Sequence, residues 1–492
     1  MDILVGQEIH MRSKNKKYSS LDVPNELKQF VQNNTYSLLI KGHAGTGKTT
    51  LSLTILKTLR IRSNFFYIST RLSPKQLFLY YPWLDKFIGQ VRSSEPDKTS
   101  EYNYNLSSFE DARLDEPESL FERITNQLMD VKAPIIIIDS WDAIASFMDK
   151  EARINNERVL QTWRERAGAK LIFIKEDPND NSLDFLVDGI VKLDQKFYNN
   201  IKMREIQLLK LRGVHINKSS YLYTLNNGTF RSFNPYHSTD FMTDSSTTIN
   251  KKVEAALDTV YDDQHIKSGY KELDVALGGG FPRKGIVIME IEAYVNTKIT
   301  IPLLARIMSN FLRTSNPILF YSQILDTNSI VNYLKSYLCT DTDTDIRNGI
   351  IFLPTNKVKN NLDHTTPYEY NGTTNNDLRY IYEFAVRARR ENPNKVLLHI
   401  AELALPRKTY DQEEISAIQS ILSIKEDIDL SIIISRHSQI IQELADFCDI
   451  HLRLTMIDGT LFLQSINPWT NIFAVVTGKS LGCPKMRLEP IV

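Results

Sequence analysis

Gly42-His43-Ala44-Gly45-Thr46-Gly47-Lys48-Thr49 is the stretch on which the reading of the whole chain turns. It fits G-x-x-x-x-G-K-[ST], and each constrained position has a physical reason. Glycines let the backbone curl until successive N–H groups point inward as an anion nest. The helix expected to follow adds the positive end of its dipole. Lys48 is placed to reach the β- and γ-phosphates of a nucleoside triphosphate, and the Thr49 hydroxyl to ligate Mg²⁺. The expected nucleotide contacts are therefore Gly42, His43, Ala44, Gly45, Thr46, Gly47, Lys48, Thr49 and Thr50, with Lys48 also a catalytic candidate.

The surroundings suit such a loop. Tyr36 to Lys41 reads as a strand and Thr50 to Arg60 as a helix. Further short apolar runs lie at 65–68, 135–138, 171–174 and 189–191. They are too short for helices and too continuous for half-exposed strands, so they read as strands buried on both faces of a parallel sheet. Segments 48–60, 117–130 and 150–167 carry apolar positions at helical spacing, which makes the pattern α/β with βαβ crossovers. Ile135-Ile136-Ile137-Ile138-Asp139 ends in an acid at the sheet edge where ligands bind in open α/β folds. Asp139 is the expected Mg²⁺ partner, directly or through water.

The order then repeats, with apolar runs at 285–291, 318–321, 396–400, 432–434 and 450–454. The expected division is a first domain at 1–236, a linker at 237–262 and a second domain at 263–492. His237 to Thr248 is polar and rich in Ser, Thr and Asp, as linkers are, and 94–106 reads as a surface insertion.

Composition narrows the function. Of 492 residues, 42% are hydrophobic and 24% charged, as in a globular protein. Lys plus Arg and Asp plus Glu both number 59, so overall charge gives no argument for nucleic acid as a partner. Three distant cysteines, Cys339, Cys448 and Cys483, lack metal-ligand spacing and suit a reducing compartment. The N-terminus lacks a signal-peptide pattern, and no apolar run approaches the roughly 18 residues of a membrane span. A cytoplasmic protein without a membrane partner is expected.

Ser268-Gly269-Tyr270-Lys271-Glu272-Leu273-Asp274 through Gly278-Gly279-Gly280-Phe281-Pro282 resembles the signature that leads into the P-loop strand of RecA-type ATPases of the KaiC branch. Phe66 to Ser73 and Ile138-Asp139-Ser140-Trp141-Asp142-Ala143 resemble the archaeal relatives grouped with the gas-vesicle regulator GvpD. The resemblance covers nearly the whole chain. It implies an α/β fold of two tandem RecA-like domains, each a mostly parallel sheet flanked by helices, with a regulatory role. ATP rather than GTP is implied by the resemblance, and no N-K-x-D element for guanine is present. Lys210-Leu211-Arg212-Gly213 is similar to the K-x-R-G element of KaiC-type domains. There the Lys and Arg reach a neighbouring subunit's nucleotide, so the resemblance implies that Lys210 and Arg212 contact the γ-phosphate across a head-to-tail interface. Such head-to-tail contacts generate a ring if they close, a hexamer for example.

Two departures limit the chemistry. The loop of the second half reads Ile291-Glu292-Ala293-Tyr294-Val295-Asn296-Thr297-Lys298, with Ile291 opposite Gly42, Asn296 opposite Gly47 and Thr297 opposite Lys48. No glycine remains, Glu292 would repel phosphate, and Glu402 is the sole acid near the counterpart of Asp139. This half reads as a pseudo-ATPase domain with a degenerate P-loop. In the first half, Ser69-Thr70-Arg71 stands where KaiC-like ATPases carry glutamates that orient the attacking water. Asp142 is the nearest spare carboxylate and the catalytic candidate; Glu176 is a weaker one. The expected function is a Mg-ATP-binding regulatory protein that acts as a slow ATPase switch on a protein partner. The alternatives are a non-hydrolysing nucleotide sensor and, further off, a DNA-handling RecA paralogue.

Overall fold

The computed structural model describes residues 16–18, 20–88, 109–113, 116–128, 133–148, 159–160, 162–165, 168–236, 261–322, 325, 327–338, 344–353, 374–403, 425–436, 438–480 and 483–492. The linker stretch 237–248 and the insertion 94–106 lie outside these residues, as does most of the helix expected at 150–167. Two compact units emerge. One comprises Ser20–Asn234 with Ile491–Val492, the other Pro235–Pro490 with the segment ending at Ser19. The N-terminal Lys16–Tyr18 strand pairs antiparallel with Phe473–Ser480. It therefore goes with the second unit, not with the domain expected at 1–236. Its partner is an edge reached only by backbone pairing, which apolar runs do not reveal.

The first unit is built on a ten-stranded sheet. Its parallel part runs, in spatial order, Gly189–Tyr198, Ser37–Gly42, Lys170–Lys175, Ile135–Asp139, Phe65–Ser69 and Phe109–Asp111. Antiparallel strands Ile201–Leu211, Ser220–Thr224, Arg231–Phe233 and Ser20–Leu21 extend it beyond Gly189–Tyr198. The apolar runs are continuous because both faces are covered: Leu38, Ile40, Ile135 and Ile137 join one core, and Leu39, Ile136, Ile138 and Phe173 the other. Each of Ile135 to Ile138 is at most 1% exposed. Such burial is worth about 1.5–3 kcal/mol per side chain, enough to fix the strand that carries Asp139.

The second unit repeats the order. Its parallel strands lie as Ile450–Ile457, Gly285–Ile291, Leu430–Ser435, Leu398–Leu403, Ile318–Ser322 and Ile350–Phe352. Its apolar side chains also divide between two faces, Val287 and Met289 to one, Ile286 and Ile288 to the other. Both units are α/β, with mostly parallel sheets and flanking helices, as the tandem reading expects.

Candidate functional site

In the first unit the strand Ser37–Gly42 runs into the loop, and the helix Lys48–Leu59 leaves it. Gly47 is the N-cap with φ 90°, a left-handed conformation, and a Cβ there would meet both Leu225 methyls at 2.7 Å. Only glycine fits. Outer strands hold the loop from beside: the Tyr223 hydroxyl donates to Thr46 O at 2.5 Å and Gln195 Nε2 to Gly45 O at 3.0 Å.

Lys48 is buried, and its Nζ donates to Gly42 O at 2.7 Å and His43 O at 2.9 Å. Burial pulls its ammonium below the ordinary lysine range, opposed by the carboxylates of Glu176, Asp139 and Asp142, while Arg71 pushes the same way as burial. An ammonium held among loop carbonyls and acids is suited to meet a phosphate. Thr49 Oγ1 donates to Asp139 Oδ2 at 2.6 Å, so the two expected Mg²⁺ partners converge although 90 residues apart. Tyr67, fully buried, donates its hydroxyl to the same Oδ2 at 2.6 Å. Burial first, then the charge of Asp139, holds that phenol well above the usual tyrosine range. One carboxylate beside one hydroxyl fits Mg²⁺, which commonly takes one or two protein ligands and completes its shell with phosphate and water. Among the described residues no cluster of three His, Cys, Asp or Glu forms a separate metal cage.

Thr50 Oγ1 lies 3.1 Å from the Tyr81 hydroxyl. Asp142 Oδ2 accepts from Glu176 N at 2.5 Å, tying the first turn of Trp141–Ala145 to the end of Lys170–Lys175. Glu176 in turn holds Arg71 Nη2 at 2.5 Å. Lys210 and Arg212 stand elsewhere. Gly42 is in register with Leu193, whereas Lys210 is in register with Ile190, level with Leu39 in the middle of the loop strand. Lys210 Nζ donates to Val187 O at 2.7 Å and Asp184 O at 3.0 Å, and Arg212 pairs with Asp188 at 3.1 Å. They do not join the loop of their own unit.

Several residues of the site were not anticipated. Lys41 and Lys175 are buried at the ends of neighbouring strands, where Lys41 meets Asp184 at 2.6 Å and Lys175 meets Asp180 and Ser182. Buried ammonium groups require such partners, so they fix the 180–184 loop beside the site. Their signal in the sequence was a lysine closing an otherwise apolar strand.

The family described as GvpD gas vesicle protein, P-loop domain, matches residues 27–212. Protein GvpD2 of Halobacterium salinarum is 23% identical over 506 residues, covering 95% of this chain and 96% of that protein. The first unit is thus similar to the P-loop domain of the GvpD proteins. Protein GvpD1 of the same organism is 27% identical over 54% of this chain and 50% of its own length. The circadian clock oscillator protein KaiC of Thermostichus vulcanus is 24% identical over 51% of this chain and 47% of its own. The chain thus carries a KaiC/RecA-like P-loop architecture. No helix among its described residues is long and apolar enough to cross a membrane.

The degenerate loop of the second unit is built differently. The α-helix begins only at Thr300, after a 3-10 turn at Thr297–Ile299. Arg436 fills the loop, donating from Nε to Thr297 Oγ1 at 2.8 Å, from Nη1 to Ala293 O at 3.2 Å, and from Nη2 to Val295 O. Glu292 turns to Thr455 Oγ1 at 2.5 Å and Met456 N at 3.0 Å. Glu402 does occupy the register of Asp139: Asp139 pairs with Ser69 and Ile174, Glu402 with Ser322 and Ile434. It is buried and accepts from Ser322 Oγ and from Leu325 N.

Proposed function

We propose that the first unit binds Mg-ATP in the Gly42–Thr50 loop and that the chain is a slow ATPase switch controlling a protein partner in the cytoplasm. The convergence of Thr49 Oγ1 and Asp139 Oδ2, 2.6 Å apart beside the loop, carries this reading. Lys48 and the loop N–H groups would bind the phosphates; Thr49 and Asp139 would hold Mg²⁺, which neutralises phosphate charge when bound. The regulatory role is supported by likeness to the GvpD proteins. A head-to-tail ring is supported by the likeness of Lys210-Leu211-Arg212-Gly213 to the K-x-R-G element, whose Lys and Arg here bond Asp184, Val187 and Asp188 rather than the loop of their own unit and would serve a neighbouring copy.

Phosphate release from Mg-ATP, measured at several protein concentrations beside Lys48→Ala, Asp142→Ala and Arg212→Ala, tests the proposal. Turnover that needs Lys48 and rises more than proportionally with protein is expected. Proportional turnover unaffected by Arg212→Ala would remove the shared site. A non-hydrolysing sensor is the second reading, favoured by Ser69-Thr70-Arg71 in place of a water-orienting carboxylate. Tight ATP binding without Lys48-dependent phosphate release would establish it.

A further inference from the structure

Arg71 stands where a carboxylate is expected, and its surroundings give it a task. Thr70 anchors the segment to the acid strand: its N–H donates to Asp139 O at 2.8 Å, and its Oγ1 accepts from Ser140 N at 2.9 Å. The next residue, Arg71, is 57% exposed at its side chain, and Nη2 reaches Glu176 Oε2 at 2.5 Å. Glu176 follows directly on the strand Lys170–Lys175, which lies between the loop strand and the acid strand. Its backbone N–H is pinned by Asp142 at 2.5 Å, so the carboxylate has little freedom to leave the sheet edge. The pair therefore stands at the edge where Lys48, Thr49 and Asp139 meet. Lys48 senses the charges of both Glu176 and Arg71.

We propose that Arg71 reads the γ-phosphate of a nucleoside triphosphate bound at the loop, and that Glu176 holds it in wait until that phosphate arrives. The inference rests on the phosphate-site reading above. A guanidinium binds phosphate oxygens through paired N–H donors as readily as it binds a carboxylate. Arg71 can exchange one anion for the other, since it is exposed and, among the described residues, Glu176 is the one side chain that holds it. A diphosphate offers no oxygen at the outermost position. Arg71 would thus distinguish the triphosphate from its product within one subunit, without any residue from a neighbour.

The test is calorimetric titration of the full chain with Mg-ADP and with the Mg complex of β,γ-imido-ATP. Arg71→Gln should lower the preference for triphosphate over diphosphate by about 10- to 100-fold, the worth of a charge-assisted hydrogen bond, with diphosphate affinity nearly unchanged. Glu176→Gln frees Arg71 and should leave triphosphate affinity equal or tighter. A preference that changes less than about threefold in Arg71→Gln overturns the proposal, since that is below about 1 kcal/mol. So does a Glu176→Gln variant that weakens triphosphate binding as much as Arg71→Gln, because the two would then act as one fixed unit. Lys48→Ala distinguishes the underlying reading. Loss of both nucleotides in that variant upholds the loop as the phosphate site, and unchanged binding of both overturns that reading and this proposal together.

Discussion

The loops at 42–49 and 291–298 stand on sheets of the same strand order, yet one is left-handed at glycine and the other is filled by an arginine. The difference lies in a few positions at one edge. Gly47 corresponds in position to Asn296, Asp139 to Glu402, and Glu176, one residue past its strand, to Arg436. The buried apolar strands are alike in both units. The scaffold is fixed by burial on two faces, whereas the anion site depends on backbone conformation and on which sign of charge follows the strand between the loop strand and the acid strand, Lys170–Lys175 in one unit and Leu430–Ser435 in the other. A cation satisfied by loop carbonyls and a phosphate satisfied by loop N–H groups are alternative uses of the same turn.

Gly47 and Asn296 offer the sharpest way to break the comparison. Gly47→Ala places a Cβ in a left-handed conformation and 2.7 Å from two Leu225 methyl carbons. It should cost about 2–5 kcal/mol in the first unit, combining backbone strain with overpacking, and abolish Mg-ATP binding. Asn296→Ala loses the side-chain bond from Lys298 N at 2.9 Å, worth about 0.5–2 kcal/mol, and should leave nucleotide affinity unchanged. Denaturant unfolding and calorimetry on both variants decide it; equal effects would mean that the loops are equivalent.

Acid should separate the units next. His399 is fully buried at the register of Ile136, with Nδ1 2.9 Å from Ser431 Oγ, and burial lowers its pKa from 6.5 to about 4. Between those values the unfolded chain binds more protons than the folded one. The stabilisation is therefore complete above about pH 6.5 and is lost as pH falls toward 4, on the order of 3 kcal/mol at most. Hydrogen exchange should show Leu398–Leu403 and Leu430–Ser435 losing protection at pH 5 before Ile135–Asp139 does. Replacing His399 by Ile should remove the difference; its persistence in that variant would place the titrating group elsewhere.

Arg436 is the third point of contrast. Arg436→Met leaves the carbonyls of Ala293 and Val295 without this donor and should destabilise the second unit by about 1–3 kcal/mol. It should create no nucleotide binding, since the loop still lacks glycine. Binding gained in that variant would show that the guanidinium alone had kept phosphate out.

Legibility in the sequence followed the same division. The parallel strands were readable because burial on both faces leaves unbroken apolar runs, as in Ile135 to Ile138. The loop was readable because glycine conformation and phosphate chemistry constrain adjacent residues. The pairing of Lys16–Tyr18 with Phe473–Ser480 was not, because an edge ladder of backbone hydrogen bonds leaves no side-chain pattern. Nor was the link from Asp142 to the backbone of Glu176, 34 residues away, which turned the nearest spare carboxylate into a brace for another. Tyr67 and Arg436 were invisible for a similar reason: each acts through its tip on a residue far along the chain.

The smallest effect tests the finest difference between the units. Tyr67 lies two residues before Ser69 and donates to Asp139 Oδ2, while Phe320, two residues before Ser322, offers no hydroxyl near Glu402. Tyr67→Phe therefore gives the first unit the ring of the second and leaves Thr49 as the side-chain donor to that oxygen. A bond to a charged acceptor contributes about 1.5–3 kcal/mol, but Thr49 still donates to that oxygen, so a net loss of about 1 kcal/mol is expected and the Mg²⁺ concentration that half-saturates nucleotide binding should rise about fivefold. Nucleotide binding without Mg²⁺ should stay the same, because the phenol touches Asp139 and not the loop. An equal loss with and without the cation would instead make Tyr67 a support of the sheet edge as a whole.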